Sequence, residues 1–406
     1  MMVENSEGQA APPDGPLAGL RVLDLSRMVA GALVGVVLAD FGADVVKVEQ
    51  PGTGDPLRTW TTGGEPFWWK VYARNKRLIT LNLKVRRGRE ILAQLLPRFD
   101  VAVESFTPGT LENLGLGWDV LRAWHPGLIL LRISAWGQSG PGSARPGFGT
   151  LVEAASGFAA MNGEADGAPI VPSFPLADMT AGLAACNAVM MALYQRDRNG
   201  GRGQVIDLSL FESLFSVLGP LSAEYAALGR ERTRQGSRSK NSSPRGCYRT
   251  SDDRWMAVSG STPKMAERFL RSYGLADLLN DPRFATNQAR VEHATELDQV
   301  VERAIASKTL AENLAIVEAN ALTAAPVQTI ADIERDPHWR ARQLTIPVPD
   351  ADGGTVRMHN VFPMFSQTPG RVRWPGGALG QDNAAVYGEL GLTAPDLDAL
   401  RNDGVI

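Results

Sequence analysis

The sequence is poor in cysteine and histidine for its length. Only two cysteines and four histidines occur among 406 residues. Cys186 and Cys247 do not form a CxxC pair, so a disulfide framework is excluded and a reducing, cytoplasmic location fits best. The histidines are scattered, without an HExxH pattern or a Cys/His cluster, so we expect no bound metal.

An excess of charge of either sign is also missing. The 41 basic and 44 acidic side chains give a net charge of -3, which argues against a nucleic-acid partner. Glycine, aspartate or polar residues interrupt the apolar stretches before the length of a membrane span, so no membrane partner is expected. Residues 1–15 have no basic n-region and no apolar h-region, which predicts a disordered tail and not a signal peptide.

Three common catalytic or nucleotide-binding motifs are absent. The turn after the first predicted strand reads Ser26-Arg-Met-Val-Ala-Gly31, which is no GxGxxG fingerprint. Neither a Walker A sequence nor a GxSxG elbow occurs. The sequence therefore lacks the main evidence for a nicotinamide enzyme, a P-loop NTPase or a serine hydrolase.

The first half of the chain alternates between strand and helix patterns. A strand at 21–26, a helix at 31–41 and a strand at 42–49 form a βαβ unit, which implies parallel strands. The alternation continues with strands at 79–83, 101–104 and 128–134 and a helix at 88–96. The pattern predicts an α/β sheet with helices on both faces.

The strongest helix pattern follows a loop at 137–149 that is rich in glycine and proline. Its apolar residues recur at helical spacing: Met179, Leu183, Cys186, Met190 and Leu193. Asp178 precedes them as the predicted N-cap, where free N–H groups and the helix dipole favour the ionised carboxylate. Such a carboxylate is either a simple cap, the more common case, or a covalent nucleophile.

The later part of the chain differs in character. Residues 221–245 are polar and basic and predict a linker. A strand is expected at 255–259 and several helices follow it. Thr309 and Glu312 form a capping box, and Asp336-Pro337 begins a further helix.

Twelve short segments stand in a fixed order along the chain after residue 16. They are Arg21–Gly31, Leu38–Glu49, Pro51–Asp55, Arg74–Arg77, Leu81–Lys84, Glu104–Gly109, Leu114–Gly117, Ile133–Gln138, Arg145–Gly149, Ala177–Gly182, Gly201–Gln204 and Asp207–Ser209. In order and spacing these segments resemble the CaiB/BaiF family of class III coenzyme A transferases, and the resemblance covers nearly the whole chain.

The resemblance implies an α/β fold and an interlocked homodimer. A Rossmann-like, CoA-binding large domain would comprise residues 16–220, completed by 345–406. A smaller, mostly helical α/β domain at 246–344 would be inserted after the 221–245 linker.

The resemblance also implies a reaction and a site. Asp178 would attack an acyl-CoA and form an anhydride, then an aspartyl-CoA thioester, before CoA passes to an acceptor acid. CoA would be a substrate, with no permanently bound cofactor. The implied CoA contacts are Met28, Val29, Arg74, Lys76, Ser105, Phe106, Thr107, Asn113, Ser134 and Trp136. The implied active-site loops contain Phe148, Gly149, Ser259, Gly260 and Ser261.

Two departures from the family bear on the function. Thr107 and Asn113 stand where arginine is frequent, which removes phosphate donors. Racemases of 2-methylacyl-CoA share the fold but use a His-Asp pair where this chain has Phe148-Gly149, and Phe148 has no basic group. The racemase and a non-catalytic CoA-binding protein remain the alternatives. Arg245 and Arg249 either pair with the second carboxylate of a small dicarboxylic acceptor or are surface charges.

Overall fold

The computed structural model describes residues 15–406, so the predicted tail at 1–15 lies outside the described residues except for Gly15. The strands are β1 (Arg21–Asp24), β2 (Asp44–Glu49), β3 (Arg77–Thr80), β4 (Val101–Glu104), β5 (Ile129–Ser134), β6 (Val205–Ser209), β7 (Arg245–Arg249), β8 (Trp255–Ser259), β9 (Ala324–Pro326), β10 (Thr345–Pro349) and β11 (Thr355–His359).

The α-helices follow the same chain order. They are α1 (Met28–Asp40), α2 (Phe67–Tyr72), α3 (Arg86–Leu95), α4 (Thr110–Asn113), α5 (Trp118–Trp124), α6 (Gly149–Ala155), α7 (Phe158–Met161), α8 (Leu176–Arg198), α9 (Leu210–Ser216), α10 (Leu221–Leu228), α11 (Pro263–Ser272), α12 (Asn287–Glu292), α13 (Ala294–Ala306), α14 (Leu310–Ala319), α15 (Ile330–Arg335), α16 (Pro337–Ala341), α17 (Asn383–Gly388) and α18 (Ala394–Asn402).

The chain separates into two compact units. The first comprises the chain up to Phe158, Val171–Gly219 and Gln343–Ile406, and the second comprises Ala159–Ile170 and Pro220–Arg342. The domain limits expected from the sequence stay a prediction. Within the predicted linker at 221–245, the structure contains α10.

The first unit is built on a six-stranded parallel sheet, which confirms the predicted α/β class. Its order is β3-β2-β1-β4-β5-β6, and Val22 of β1 lies opposite Val45 of β2 and Val101 of β4. This order reverses direction between β1 and β4, and open α/β sheets bind ligands in the crevice at that point.

Adjacent residues of β1 supply both faces of the sheet. Val22 and Leu23 are fully buried but belong to separate apolar clusters. Val22 packs with α1 and α8, whereas Leu23 packs with α3 and α17. Because successive side chains of a strand point to opposite faces, a strand buried on both faces is apolar throughout.

Helix α8 is the long apolar helix that the sequence predicts. By length and composition alone it could cross a membrane, so the expectation that every apolar stretch is too short is wrong. Ala181, Ala185 and Val189 are buried in the core of the first unit against α1 and the sheet. The absence of a membrane partner stays a prediction.

The second unit contains a small antiparallel sheet of order β7-β8-β9 with helices α10–α16. Its apolar core includes Met256 of β8 with Phe269 and Leu297. The predicted capping box of Thr309 and Glu312 is confirmed at the start of α14. The predicted helix at Asp336-Pro337 is confirmed as α16.

Candidate active site

Two cavities open at the carboxyl ends of the parallel strands in the first unit. One, of about 520 Å³, is lined by residues that follow β1, β4 and β5 and by Asp178. The other, of about 360 Å³, is lined by residues that follow β1, β2 and β3. Arg27, Phe106 and Thr110 line both cavities, so the two form one groove along the edge of the sheet.

Asp178 lies at one end of this groove, in the first turn of α8. It is the third residue of the helix, whose N-cap is Pro175, so the prediction that Asp178 itself is the N-cap is wrong. Its carboxylate accepts backbone hydrogen bonds from its own N–H and from that of Ala30, the third residue of α1. The free N–H groups of two helix N-termini therefore meet at this carboxylate.

Small residues bring the two helices this close. A Cβ on Gly182 would lie 3.0 Å from the carbonyl oxygen of Ala30 and 2.9 Å from Leu33 Cδ2. A Cβ on Gly31 would overlap with Ser26. Gly182 lets α8 approach α1, and the approach brings the Ala30 N–H to Asp178, whereas Gly31 lets α1 pack against Ser26.

Burial is the largest influence on the pKa of Asp178. Burial and the negative charge of Glu153 raise its pKa to about 6, against the opposing effect of the two backbone N–H groups. The carboxylate is therefore ionised above that pH and more basic than an ordinary aspartate, whose pKa is about 3.9. A carboxylate that is both ionised and unusually basic suits nucleophilic attack.

The first turn of α8 packs against α6. Gly149 begins α6, and any Cβ at this position would overlap with Asp178 Oδ2. Glu153, one turn further along α6, accepts a hydrogen bond from the Ala177 N–H at 3.0 Å. Glycine at position 149 thus leaves the space that the carboxylate occupies.

The structure brings most of the residues predicted near the substrate to this cavity. Its lining includes Met28, Ser105, Phe106, Thr107, Ser134 and Phe148 with Asp178. The Oγ of Ser134 is buried and has no hydrogen-bond partner among the described residues. Ser105 Oγ accepts from the Arg27 N–H at 2.8 Å and donates to the Arg27 carbonyl, which ties together the loops after β1 and β4.

Other predicted CoA contacts lie elsewhere. Val29 is buried in a cluster with Leu57 and Trp69. Asn113 is exposed at the end of α4 and is not part of either cavity lining. The Trp136 ring nitrogen donates to the Pro146 carbonyl, so Trp136 supports the loop before α6 without lining the groove.

Arg74 and Lys76, which are predicted to contact CoA, are buried and line neither cavity. Arg74 is 2% exposed and pairs with Asp40 at 2.6 Å. Lys76 is 1% exposed, and its ammonium donates to Asp24 and to the Ala32 carbonyl, both at 2.9 Å. Both cationic side chains are thus buried inside the fold, where they bind Asp40 and Ala32 of α1.

Cations that the sequence interpretation did not select do line the groove, and the exposed ones are Arg27, Lys84 and Arg145. Lys84 is exposed and lines the smaller cavity, and Arg27 is exposed where the two cavities join. Both residues follow predicted strands, at 79–83 and 21–26. The rule that ligands bind beyond the carboxyl ends of parallel strands would have favoured them over Arg74 and Lys76.

The remaining predicted residues belong to the second unit. Ser259, Gly260 and Ser261 form the turn after β8, where the hydroxyls of Ser259 and Ser261 are 2.7 Å apart. Arg249 pairs with Asp253 at 2.9 Å, and Arg245 lines a separate cavity of about 830 Å³. Their predicted roles in catalysis and acid binding stay predictions.

Among the described residues, the groove is lined by no histidine and contains no cluster of metal-ligand side chains. Across residues 15–406, no group of three or more His, Cys, Asp or Glu side chains is arranged to hold a metal ion. None of the four histidines is in the lining of either cavity. Phe148, where the related racemases have their histidine, is 66% exposed beside Asp178.

Comparison with known proteins identifies the class to which this fold and site belong. The model of CoA-transferase family III matches residues 17–383, so the chain belongs to that family. It is therefore an enzyme that moves CoA between an acyl-CoA thioester and a carboxylic acid.

Particular relatives extend over nearly the whole chain. The succinyl-CoA–D-citramalate CoA-transferase of Chloroflexus aurantiacus is 39% identical, over 97% of this chain and 99% of the relative. The succinate–glutarate CoA-transferase of Agrobacterium fabrum is 33% identical, over 92% of this chain and 96% of the relative. The crystal structure of a CaiB/BaiF family protein from Brucella suis matches with a TM-score of 0.82 and 32% identity, over 93% of this chain and 100% of that one.

Proposed function

We propose that the protein transfers CoA between small dicarboxylic acids through covalent adducts on Asp178. The observation that carries this proposal is the position of Asp178. Its carboxylate, ionised above a pH of about 6, lies at the end of a groove along the carboxyl edge of the sheet. The names of the Chloroflexus and Agrobacterium relatives support succinate and similar diacids as substrates.

In the first half-reaction, the Asp178 carboxylate attacks the thioester carbonyl of the donor. An O–C bond forms, the C–S bond breaks, and CoA leaves as a thiolate, which gives a mixed anhydride. The thiolate then attacks the Asp178 Cγ. A C–S bond forms, and the bond from Cγ to the bridging oxygen breaks, so the donor acid leaves as a carboxylate and CoA is held as an aspartyl thioester.

In the second half-reaction, the acceptor carboxylate attacks Cγ and expels the CoA thiolate, which gives a second anhydride. The thiolate attacks the acceptor carbonyl, and Asp178 leaves as a free carboxylate. Each step exchanges one activated acyl bond for another, so no external energy source is needed. The Ala30 N–H at the carboxylate is a donor beside these reacting atoms, and Ser134 Oγ is a buried polar group in the same cavity lining.

CoA would lie along the groove, with its thioester beside Asp178. Lys84 and Arg27 supply positive charge for the phosphates, in place of the buried Arg74 and Lys76. The homodimer expected from the family resemblance also belongs to this proposal. Apolar side chains on the outer face of α8 are exposed in the single chain and suit a subunit interface, and they include Leu183, Met190, Met191 and Tyr194.

The decisive experiment traps the covalent intermediate. The protein is incubated with succinyl-CoA and then treated with borohydride or hydroxylamine, and its peptides are analysed by mass spectrometry. We expect modification of the Asp178 peptide alone and its loss in Asp178→Asn. Asp119, an exposed aspartate in the first turn of α5, provides the control Asp119→Asn, which should keep both label and turnover.

Three outcomes would reject the proposal. Full turnover in Asp178→Asn would exclude the covalent route. Deuterium uptake at the α-carbon of 2-methylacyl-CoA in heavy water, without an acceptor acid, would instead indicate the racemase. Binding of CoA without any acyl movement among small acids would indicate the non-catalytic alternative.

A further inference from the structure

A second carboxylate lies beside the first turn of α8. Glu153 is 1% exposed, and its Oε1 accepts a hydrogen bond from the N–H of Ala177, the residue before Asp178. Gly149 lies one turn earlier on α6 and faces the Asp178 carboxylate itself. Residues four apart on a helix share a face, so this face of α6 meets the start of α8 at both positions.

The charge of Glu153 is not needed for this hydrogen bond. A glutamine would present the same carbonyl oxygen to the Ala177 N–H, and burying a neutral amide is less unfavourable than burying a carboxylate. No lysine or arginine forms an ion pair with Glu153 within residues 15–406. A buried, unpaired charge that stability does not require is typical of a group retained for function.

We infer that Glu153 is a positioning residue for the reaction. It holds the first turn of α8 through the Ala177 N–H, and its negative charge destabilises the ionised form of Asp178 relative to the acylated forms. The inference rests on the proposed covalent function of Asp178.

The electrostatic argument is the same for protonation and for acylation. The repulsion between Glu153 and Asp178 exists only while Asp178 is an anion. Formation of the anhydride or of the aspartyl-CoA thioester removes that negative charge, as protonation does. The charge of Glu153 therefore favours the covalent intermediates over the free carboxylate. The factor is about the same as for protonation, roughly tenfold for each unit by which Glu153 raises the pKa of Asp178.

Other groups around Asp178 act in the opposite direction. The N–H groups of Asp178 and Ala30 stabilise the anion, and Arg27 and Arg145 line the same cavity with positive charge. Glu153 is the charged group that raises the pKa of Asp178, after burial itself. Its removal should therefore leave burial as the remaining influence that raises the pKa of Asp178, opposed by the two backbone N–H groups.

The test uses Glu153→Gln in the full-length protein, with Glu302→Gln on α13 as an exposed control. Two quantities are measured: the pH dependence of turnover, and the fraction of Asp178 trapped by borohydride after incubation with succinyl-CoA. We expect the acidic limb of the pH profile to move to lower pH. The equilibrium constant for formation of the trapped adduct should fall by about tenfold for each pH unit by which the limb moves.

The outcomes separate this inference from the proposed function. If Glu153→Gln leaves both the acidic limb and the trapped fraction unchanged while Asp178 is still labelled, Glu153 is only a structural cap. If wild-type Asp178 is never labelled, the covalent function itself fails. Glu153→Leu, which also removes the hydrogen bond to Ala177, should lower turnover further than Glu153→Gln. Equal turnover in the two variants would exclude the positioning role.

Discussion

The Cα of Gly149 lies so close to Asp178 that a side chain at position 149 would overlap with the carboxylate Oδ2. Gly149 has no left-handed backbone angle that would require glycine, so space is the reason for glycine here. The position of the Asp178 carboxylate therefore depends on the absence of a side chain at position 149.

Gly149→Ala is expected to abolish most of the turnover while the protein remains folded. The added methyl group would displace the carboxylate from its place beside the Ala30 N–H, and small misplacements of a nucleophile reduce rates about 10²-fold. Steady-state kinetics and thermal unfolding check the prediction. Gly388→Ala is the control, since a Cβ there meets nothing within 4 Å. Wild-type turnover in Gly149→Ala would contradict the packing argument.

Asp178→Asn is expected to be more stable than the wild type at pH 8. The folded-state pKa of Asp178 is raised to about 6 from 3.8, so the folded protein loses stability from this group as the pH rises through that range. The neutral amide avoids this loss, which amounts to roughly 2–3 kcal/mol above pH 6.

Thermal unfolding of both proteins at pH 4 and pH 8 measures this effect. The difference in Tm should be large at pH 8 and close to zero at or below pH 4, where the wild-type aspartate is protonated in the folded state. If Asp178→Asn is less stable than the wild type at pH 8, the folded protein stabilises the ionised carboxylate and the prediction fails.

Lys76 and Lys84 are expected to give opposite phenotypes. Lys76→Met would leave Asp24 buried without one of its cations, and breaking a buried ion pair costs about 3–5 kcal/mol. Lys84→Met, at an exposed position in the groove, should leave Tm unchanged, raise the KM for acyl-CoA and reduce its dependence on salt. Denaturant unfolding and steady-state kinetics at two salt concentrations distinguish the two effects.

The contrast between Lys76 and Lys84 shows what could not be predicted from the sequence. The sequence predicted the strands of the parallel sheet, the long helix and Asp178 at the start of that helix. The family resemblance implied that Arg74 and Lys76 contact CoA. Their partners, Asp40 and Asp24, are 34 and 52 residues distant, so no local pattern reports that the charges are paired and buried.

The N-terminus of α8 was misassigned for a similar reason. Aspartate is a favoured N-cap, so Asp178 was expected to cap the helix. In the structure Pro175 occupies that position, and the Ala177 N–H is satisfied by Glu153 from α6. Glu153, 24 residues before Ala177, accepts the hydrogen bond at this helix end, and Asp178 faces the cavity. No local sequence pattern indicates this contact.

Gly182→Ala is expected to weaken the site through the packing of α8 against α1. The new methyl group would lie 3.0 Å from the Ala30 carbonyl and 2.9 Å from Leu33 Cδ2, so α8 must move away by a few tenths of an ångström. The hydrogen bond from the Ala30 N–H to Asp178 would lengthen, and the anion would lose a donor. The pKa of Asp178 should therefore rise, and the acidic limb of the pH profile should move to higher pH.

This direction is opposite to that expected for Glu153→Gln, so the two variants together test whether the acidic limb belongs to Asp178. Turnover is measured between pH 5 and pH 8 for both variants. Gly388→Ala, where the added Cβ meets nothing within 4 Å, again serves as the control. If both variants move the limb in the same direction, or neither moves it, a group other than Asp178 controls the pH dependence. If they move it in opposite directions, the N–H of Ala30 and the charge of Glu153 act on one carboxylate.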